Sequence, residues 1–388
     1  MLLSVCTPQA YNLGTLRHRH SAHPSTAGSG AELVAQLKRR KHHQKSGFRD
    51  SLPHLISHRL LTLSTTMAAT LADQVAVDPS GQDTFVSREN PGRMGNMANI
   101  AYGGCAIAIA IQAAFQTVSP GYLPYSVMGN YLGPAFIDRP LLCSVRRLRD
   151  TRTFATRQVY VSQKLDNGKE RMCMAVLADF QVREKEAMYE YSAPPLRKYS
   201  SVEKSINPPE MVARKVAEGK IPHQAADLFG TMYDLKSRFM ESRVCPEGVS
   251  GQNFNGVGEP ETDQDHLPMT AKTSADWTRV RHACPEISDR FAALSFIMDE
   301  SLSFLPLTHT NKTIFDAAAC SSLDFAIRFF APDLDLSQWH FREMNTVSGR
   351  DGRTYSESRM WDGEGNMVAS MTQQSILRPR PGEIKANL

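Results

Sequence analysis

Two stretches of this chain share one order of apolar and polar positions. In the later one, residues 287–300, Phe291, Leu294 and Met298 recur at helical spacing, and Leu302 and Leu305 continue the series. That period predicts a helix with Asp299 beside its apolar face. A carboxylate at the edge of a buried face needs a reason. Strand-like runs follow at 320–330, 339–346, 354–361 and 367–377, set apart by the turns Gly349-Arg350-Asp351-Gly352 and Asp362-Gly363-Glu364-Gly365-Asn366. A helix followed by an antiparallel meander is the α+β pattern.

The earlier stretch repeats this order. Gly103-Gly104 opens the run Cys105 to Phe115, which is apolar on nearly every side, and strand-like runs follow at 125–132, 141–148, 153–163 and 171–182. A helix without a polar face must be enclosed, and this one is well short of the roughly 20 residues that span a bilayer. A sheet wrapped around it is the simplest enclosure. The repetition predicts an internal duplication: two antiparallel sheets, each around its own central helix, lying side by side with edge strands paired between the units so that exposed edges are covered.

Composition then divides the chain. Its 388 residues suffice for two core units. Residues 1–66 hold nine Lys/Arg against Glu32 and Asp50, a net +7 where the whole chain carries +4, so the basic balance belongs to this leader and the rest is −3. The run Lys38-Arg39-Arg40-Lys41-His42-His43 sits in a Ser- and His-rich, acid-poor terminus, the pattern of a disordered or targeting segment rather than of a nucleic-acid site. A mitochondrial-type presequence, or an extension ahead of a working start at Met67, both fit. Seven scattered cysteines without a CxxC pair favour a reducing compartment, and no Cys/His spacing calls for a metal or other cofactor. The expected division is a leader at 1–66, a first unit at 67–184, a connector at 185–276, a second unit at 277–381 opening on the strand Trp277 to Arg281, and a tail at 382–388. The connector is turn-rich, with short helices at 209–217 and 225–243, and is expected to loop across the surface rather than cover a cavity.

Asp299 on its helix, Ser322-Leu323-Asp324 on the next strand and Val368 to Gln374 on the last resemble, in that order, the second half of the type II acyl-CoA thioesterases. This is the double-hotdog family of bacterial thioesterase II and its peroxisomal relatives. Tyr102-Gly103-Gly104, Tyr131-Leu132-Gly133-Pro134 and Arg147 to Arg157 are similar to its first half, and the likeness spans about 84–184 and 277–381. It implies a double hotdog, an acyl-CoA substrate, assembly into homo-oligomers and no cofactor. Four residues separate Asp299 from Phe304-Leu305-Pro306, about two more than in the bacterial pattern, which predicts a rearranged helix end.

Thioester hydrolysis needs a water deprotonated and aimed at the acyl carbon, and donors ready for the oxygen that becomes negative. The resemblance puts Asp299, Ser322 and Gln373 at the catalytic positions. Asp299 would be the base, the Ser322 hydroxyl would stand where bacterial members commonly have threonine, and the Gln373 amide would fix the water. Free N–H groups at the start of the central helix make Gly103, Gly104 or Cys105 the oxyanion donors, and Arg147, Arg149, Arg152 and Arg157 are available to CoA phosphates. A catalytically weak acyl-CoA-binding protein is one alternative. A hotdog hydratase or dehydratase is another, disfavoured because those resemble a pattern with Asp and His near the helix start. The tail Lys385-Ala386-Asn387-Leu388 ends in a small-polar-Leu variant of the peroxisomal address. The expected site of action is therefore the peroxisome, through an import receptor, with mitochondrion or cytosol as alternatives.

Overall fold

The computed structural model describes residues 68–96, 98–255 and 261–380; the leader read at 1–66 and the tail read at 382–388 lie outside the described residues. The strands are β1 (Val77–Gly81), β2 (Thr84–Ser87), β3 (Tyr122–Tyr131), β4 (Leu142–Asp150), β5 (Phe154–Lys164), β6 (Glu170–Val182), β7 (Met240–Val244), β8 (Thr273–Val280), β9 (Ala317–Phe329), β10 (His340–Arg350), β11 (Arg353–Trp361) and β12 (Met367–Pro379). The helices are α1 (Leu71–Val75), α2 (Gly103–Phe115), α3 (Pro208–Ala217), α4 (His223–Met232), α5 (Asp234–Phe239), α6 (Val249–Asn253), α7 (Ile287–Met298) and α8 (Leu305–Thr308).

All the strands join one antiparallel sheet in the order β1-β2-β4-β5-β6-β3-β9-β12-β11-β10-β8-β7. The first six strands of that order come from the first repeat. The seam is β3 on β9, with Val127 opposite Ile327 and Gly129 opposite Phe325. Pairing the halves there removes two long edges, and the edges that remain, β1 and β7, have five residues each, short enough to resist pairing with another chain. Asp351 and Gly352 both take positive φ in the β10–β11 turn, the conformation that an Asp-Gly hairpin supplies cheaply.

The two central helices do not sit in separate cores. α2 is buried along its whole inner length, with Ile107, Ile109 and Ile111 inaccessible, each contributing about 1.5–3 kcal/mol by leaving water. With no polar face to turn outward, it packs on α7 inside the curved sheet, so one cluster of side chains runs through both halves. The helices run antiparallel: Tyr102, at the start of α2, donates through its hydroxyl to the carbonyl of Phe296 near the end of α7 at 2.7 Å. At the other end Gln112 Nε2 donates to Asp289 Oδ1 at 2.6 Å.

The connector departs from expectation twice. Its residues 240–244 form β7 and 273–276 begin β8, and the two pair from Met240 opposite Val280 to Val244 opposite Asp276, so the second sheet starts well before Trp277. Nor does it only loop across the surface. Leu235, Phe239 and Met240 are buried in the shared core, and the N–H of Gly95 donates to the carbonyl of Met232 at 2.9 Å. The spacing of Met232, Leu235 and Phe239 is that of a helix with an apolar stripe. That stripe seats α4 and α5 over the ends of the central helices.

Candidate functional site

Asp299 caps the C-terminus of α7, and the antiparallel helix pair carries it to the N-terminus of α2. There the free N–H groups and positive helix end face it. Its Oδ1 accepts from Tyr131 Oη at 3.0 Å and from Gln373 Nε2 at 2.7 Å. Only 7% of Asp299 is exposed. Burial pushes its pKa up to about 7, although the Tyr131 hydroxyl, the Gln373 amide and the Gly104 backbone N–H all favour the charged form. No Lys or Arg among the described residues pairs with it.

The absence of side chains at the glycine pair is geometric. A Cβ on Gly103 would stand 2.6 Å from Tyr131 Oη and 2.8 Å from Asp299 Oδ2, and one on Gly104 would stand 2.8 Å from the Phe296 carbonyl oxygen. Gly103 therefore admits the carboxylate and the phenol, while Gly104 lets the two helices touch. The three expected oxyanion donors separate. The Cys105 N–H donates to the Tyr102 carbonyl at 3.1 Å, so Cys105 is not a free donor, and the Gly104 N–H faces Asp299 and favours its charged form. Gly103 lines the cavity, and its N–H has no acceptor among the described residues.

That cavity, about 580 Å³, is lined by Gly103, Tyr131, Asp299 and Ser322 and by the loop around residues 94–101. Ser322 thus lines the same space as Asp299, opposite Ser375 across the β9–β12 pair, where a bulge shifts the register. It makes no hydrogen bond to Asp299. Gln373, 1% exposed, binds Asp299 directly, and its Oε1 accepts from Ser375 Oγ at 3.4 Å. The glutamine amide thus holds the carboxylate.

Tyr131 is the residue that sequence reasoning passed over, although it opens one of the segments that carry the resemblance. Burial and the adjacent Asp299 push its pKa well above the ordinary phenol value, so it remains a donor. Its ring lies 5.7 Å from that of Phe325 across the seam, and a Cβ on Gly129 would come within 2.8 Å of the same Phe325 ring. The signal in the sequence was a glycine two residues before a tyrosine at the end of a strand.

Beyond α7 the backbone leaves the helical region. Ser301 takes φ 75, and Glu300, although it lines the cavity, commits its carboxylate oxygens to a buried ion cluster. Arg342, inaccessible to solvent, donates to both oxygens of Asp276 at 2.9 and 2.7 Å, to Glu300 Oε2 at 3.2 Å and to the Ile297 carbonyl at 2.8 Å. Lys236 of α5 reaches Glu300 Oε1 at 2.6 Å. The arginines considered for CoA phosphates belong to the other end of the molecule. Arg157 is 1% exposed and donates to Thr117, just beyond the C-terminus of α2, roughly 20 Å along the helix from Asp299. Arg147 is held by Asp83.

Residues 90–181 match the family model for the acyl-CoA thioesterase N-terminal domain, and residues 240–377 that for the C-terminal domain. The second match begins where β7 begins. Acyl-CoA thioesterase 2 of Haemophilus influenzae is 22% identical over 279 residues, 71% of this chain and 87% of that protein. Among solved structures, the tesB protein of Mycobacterium avium subs paratuberculosis superposes with a TM-score of 0.58 at 19% identity, over 80% of this chain and 98% of its own. The acyl-CoA thioesterase II TesB2 of Mycobacterium marinum gives 0.55 at 18%, over 81% and 99%. A hot dog fold protein of Alicyclobacillus acidocaldarius gives 0.58 at 14%, over 82% and 98%. At these identities the structural likeness speaks for the double hotdog.

Proposed function

This chain belongs to the acyl-CoA thioesterase family, and on that premise we propose that it cleaves an acyl-CoA to a carboxylic acid and free CoA with Asp299 as the base. The observation that carries this reading is the Asp299 carboxylate itself: buried, without a cation among the described residues, and held by Tyr131 and Gln373 against the start of α2. Its raised pKa suits a general base, because a carboxylate titrating near neutrality takes a proton more readily than an ordinary one. Asp299 accepts a proton from water as the water oxygen adds to the acyl carbon. The carbonyl oxygen becomes negative at the Gly103 N–H, where the positive helix end stabilises it. Collapse breaks the carbon–sulfur bond, and the departing thiolate recovers the proton from Asp299. Ser322 offers one donor and two acceptor sites to the water from the opposite wall.

A panel of acyl-CoAs assayed for free-thiol release tests this. The expected outcome is equal amounts of free thiol and carboxylic acid for at least one chain. Tight acyl-CoA binding without thiol release on any substrate would leave a binding protein, and consumption of an enoyl-CoA without thiol release would leave a hydratase.

For its place in the cell, the tail supports a peroxisomal site of action, since Ala386-Asn387-Leu388 departs from the usual address only at its middle residue. Deleting Asn387 and Leu388 is expected to spread a fluorescent fusion through the cytosol with hydrolysis unchanged; punctate fluorescence after the deletion rules the address out.

A further inference from the structure

Tyr233, at the junction of α4 and α5, lines three cavities at once. One is the Asp299 cavity. The second, about 410 Å³, lies between the edge strand β7 and the connector helices, with Val212, Phe229 and Met240 on its walls. The third, about 200 Å³, is bounded by Leu228, Met232 and Phe304. Among the described residues Tyr233 is the one common to all three linings. Among the described residues the first two cavities share Tyr233, Glu300 and Ser301 alone, and the Glu300 carboxylate is already turned into the ion cluster.

The tyrosine is fixed from several sides. Met232, just before it, accepts from the Gly95 N–H. Leu235, two residues after it, packs so tightly on Gly92 that a Cβ there would come within 2.5 Å of Leu235 Cδ1. Lys236 is bound to Glu300. The ring stacks on Phe229 with centroids 4.5 Å apart, and its hydroxyl accepts from Asn255 Nδ2 at 3.3 Å. A ring held by Phe229 and Asn255, on a backbone whose neighbours are fastened to the loop before α2 and to Glu300, does not swing aside for a substrate.

Building on the thioesterase reading, we propose that Tyr233 determines acyl-chain specificity: its ring closes the floor of the Asp299 cavity, and acyl groups too long for that cavity are turned away from a further chamber that the chain already contains. The class favoured is an acyl-CoA whose chain ends at Tyr233. Removing the ring joins the two cavities through a passage floored by Phe229 and Met240, so a longer saturated chain gains apolar surface to bury.

The test is kcat/KM across a homologous series of saturated acyl-CoAs for the full chain and its variants. The native protein is expected to peak at one chain length and fall steeply beyond it. Tyr233→Ala is expected to move the peak to longer chains and to raise the long-to-short ratio on the order of tenfold or more, the discrimination that a few methylenes supply in an apolar pocket. Tyr233→Phe keeps the ring and is expected to keep the peak. If Tyr233→Ala fails to fold, Tyr233→Leu, which shortens the wall and retains an apolar contact with Phe229, carries the same expectation. A folded Ala or Leu variant with the native peak overturns the proposal, as does a Phe variant that shifts it equally. A native protein that hydrolyses none of the series defeats the thioesterase reading instead.

Discussion

The end of α7 holds two buried carboxylate environments side by side, and they are built on opposite principles. Asp299 and Glu300 are neighbours in sequence and similarly inaccessible, at 7% and 5%. Glu300 shares Arg342 and Lys236 with Asp276. Burial works to raise the Asp276 pKa, yet Arg342 and Lys236 hold it below the ordinary value. Among the described residues Asp299 receives only neutral donors, and burial carries its pKa up to about 7. The difference teaches how one helix end supplies both fastening and chemistry: cations fix the charge in one place, and their absence leaves a proton exchangeable in the other. Glu300, the carboxylate next to Asp299, has both oxygens committed to cations and is not placed to act as a base.

Substituting each side of this comparison separates the roles with the largest effects. Asp299→Asn keeps the size and removes the base, so kcat is expected to fall roughly 10²- to 10⁴-fold, while the folded state gains stability at pH 8. The native carboxyl binds its proton more tightly than the unfolded one. The stability this gives is complete below about pH 4, the ordinary value, and is lost as the pH rises to about 7. The asparagine has no such loss, so its advantage in urea melts is expected at pH 8 and to vanish toward pH 4. Arg342→Met is expected to do the reverse, costing about 3–5 kcal/mol by leaving Asp276 and Glu300 without their main partner. Folded Asp299→Asn that hydrolyses its best acyl-CoA at a rate near the native one overturns the base assignment.

The parts legible in the sequence were those whose period or turn chemistry is local. α2 is recovered at Gly103–Phe115 because nothing but enclosure suits its composition, and β11 and β12 are recovered within two residues because glycine turns bound them. What stayed hidden is long-range. β7 is a five-residue edge strand in a polar setting, whose pairing with β8 spans the long connection from Val244 to Thr273 that no period announces. The connector was read as surface because its prolines and glycines outweigh a stripe of three apolar residues over two helical turns. The sequence puts Ser322 on the first strand after the helix and Gln373 on the last, but that these strands pair, with a bulge at Gln374 and Ser375, is long-range. The partner from the other repeat, Tyr131, is 168 residues from Asp299, so only the seam brings it in.

The smaller effect belongs to that seam. Tyr131 donates to Asp299 Oδ1, a bond stronger to the carboxylate than to the acid, so it holds the pKa below what burial alone would give. Because the base works ionised, kcat/KM is expected to rise with pH through an apparent value near 7 and to level above it. Tyr131→Phe keeps the ring on Phe325 and deletes the bond, a loss of about 1.5–3 kcal/mol for a charged acceptor. That equals roughly one to two pH units, so the acid limb is expected to move up by about that much. The variant then loses most of its activity at pH 6 and little at high pH, where Asp299 is ionised in either protein. A phenol that only packs the seam predicts a different result, an equal loss at every pH with the limb in place. A pH profile of kcat/KM for both proteins, measured where each remains folded, decides between them.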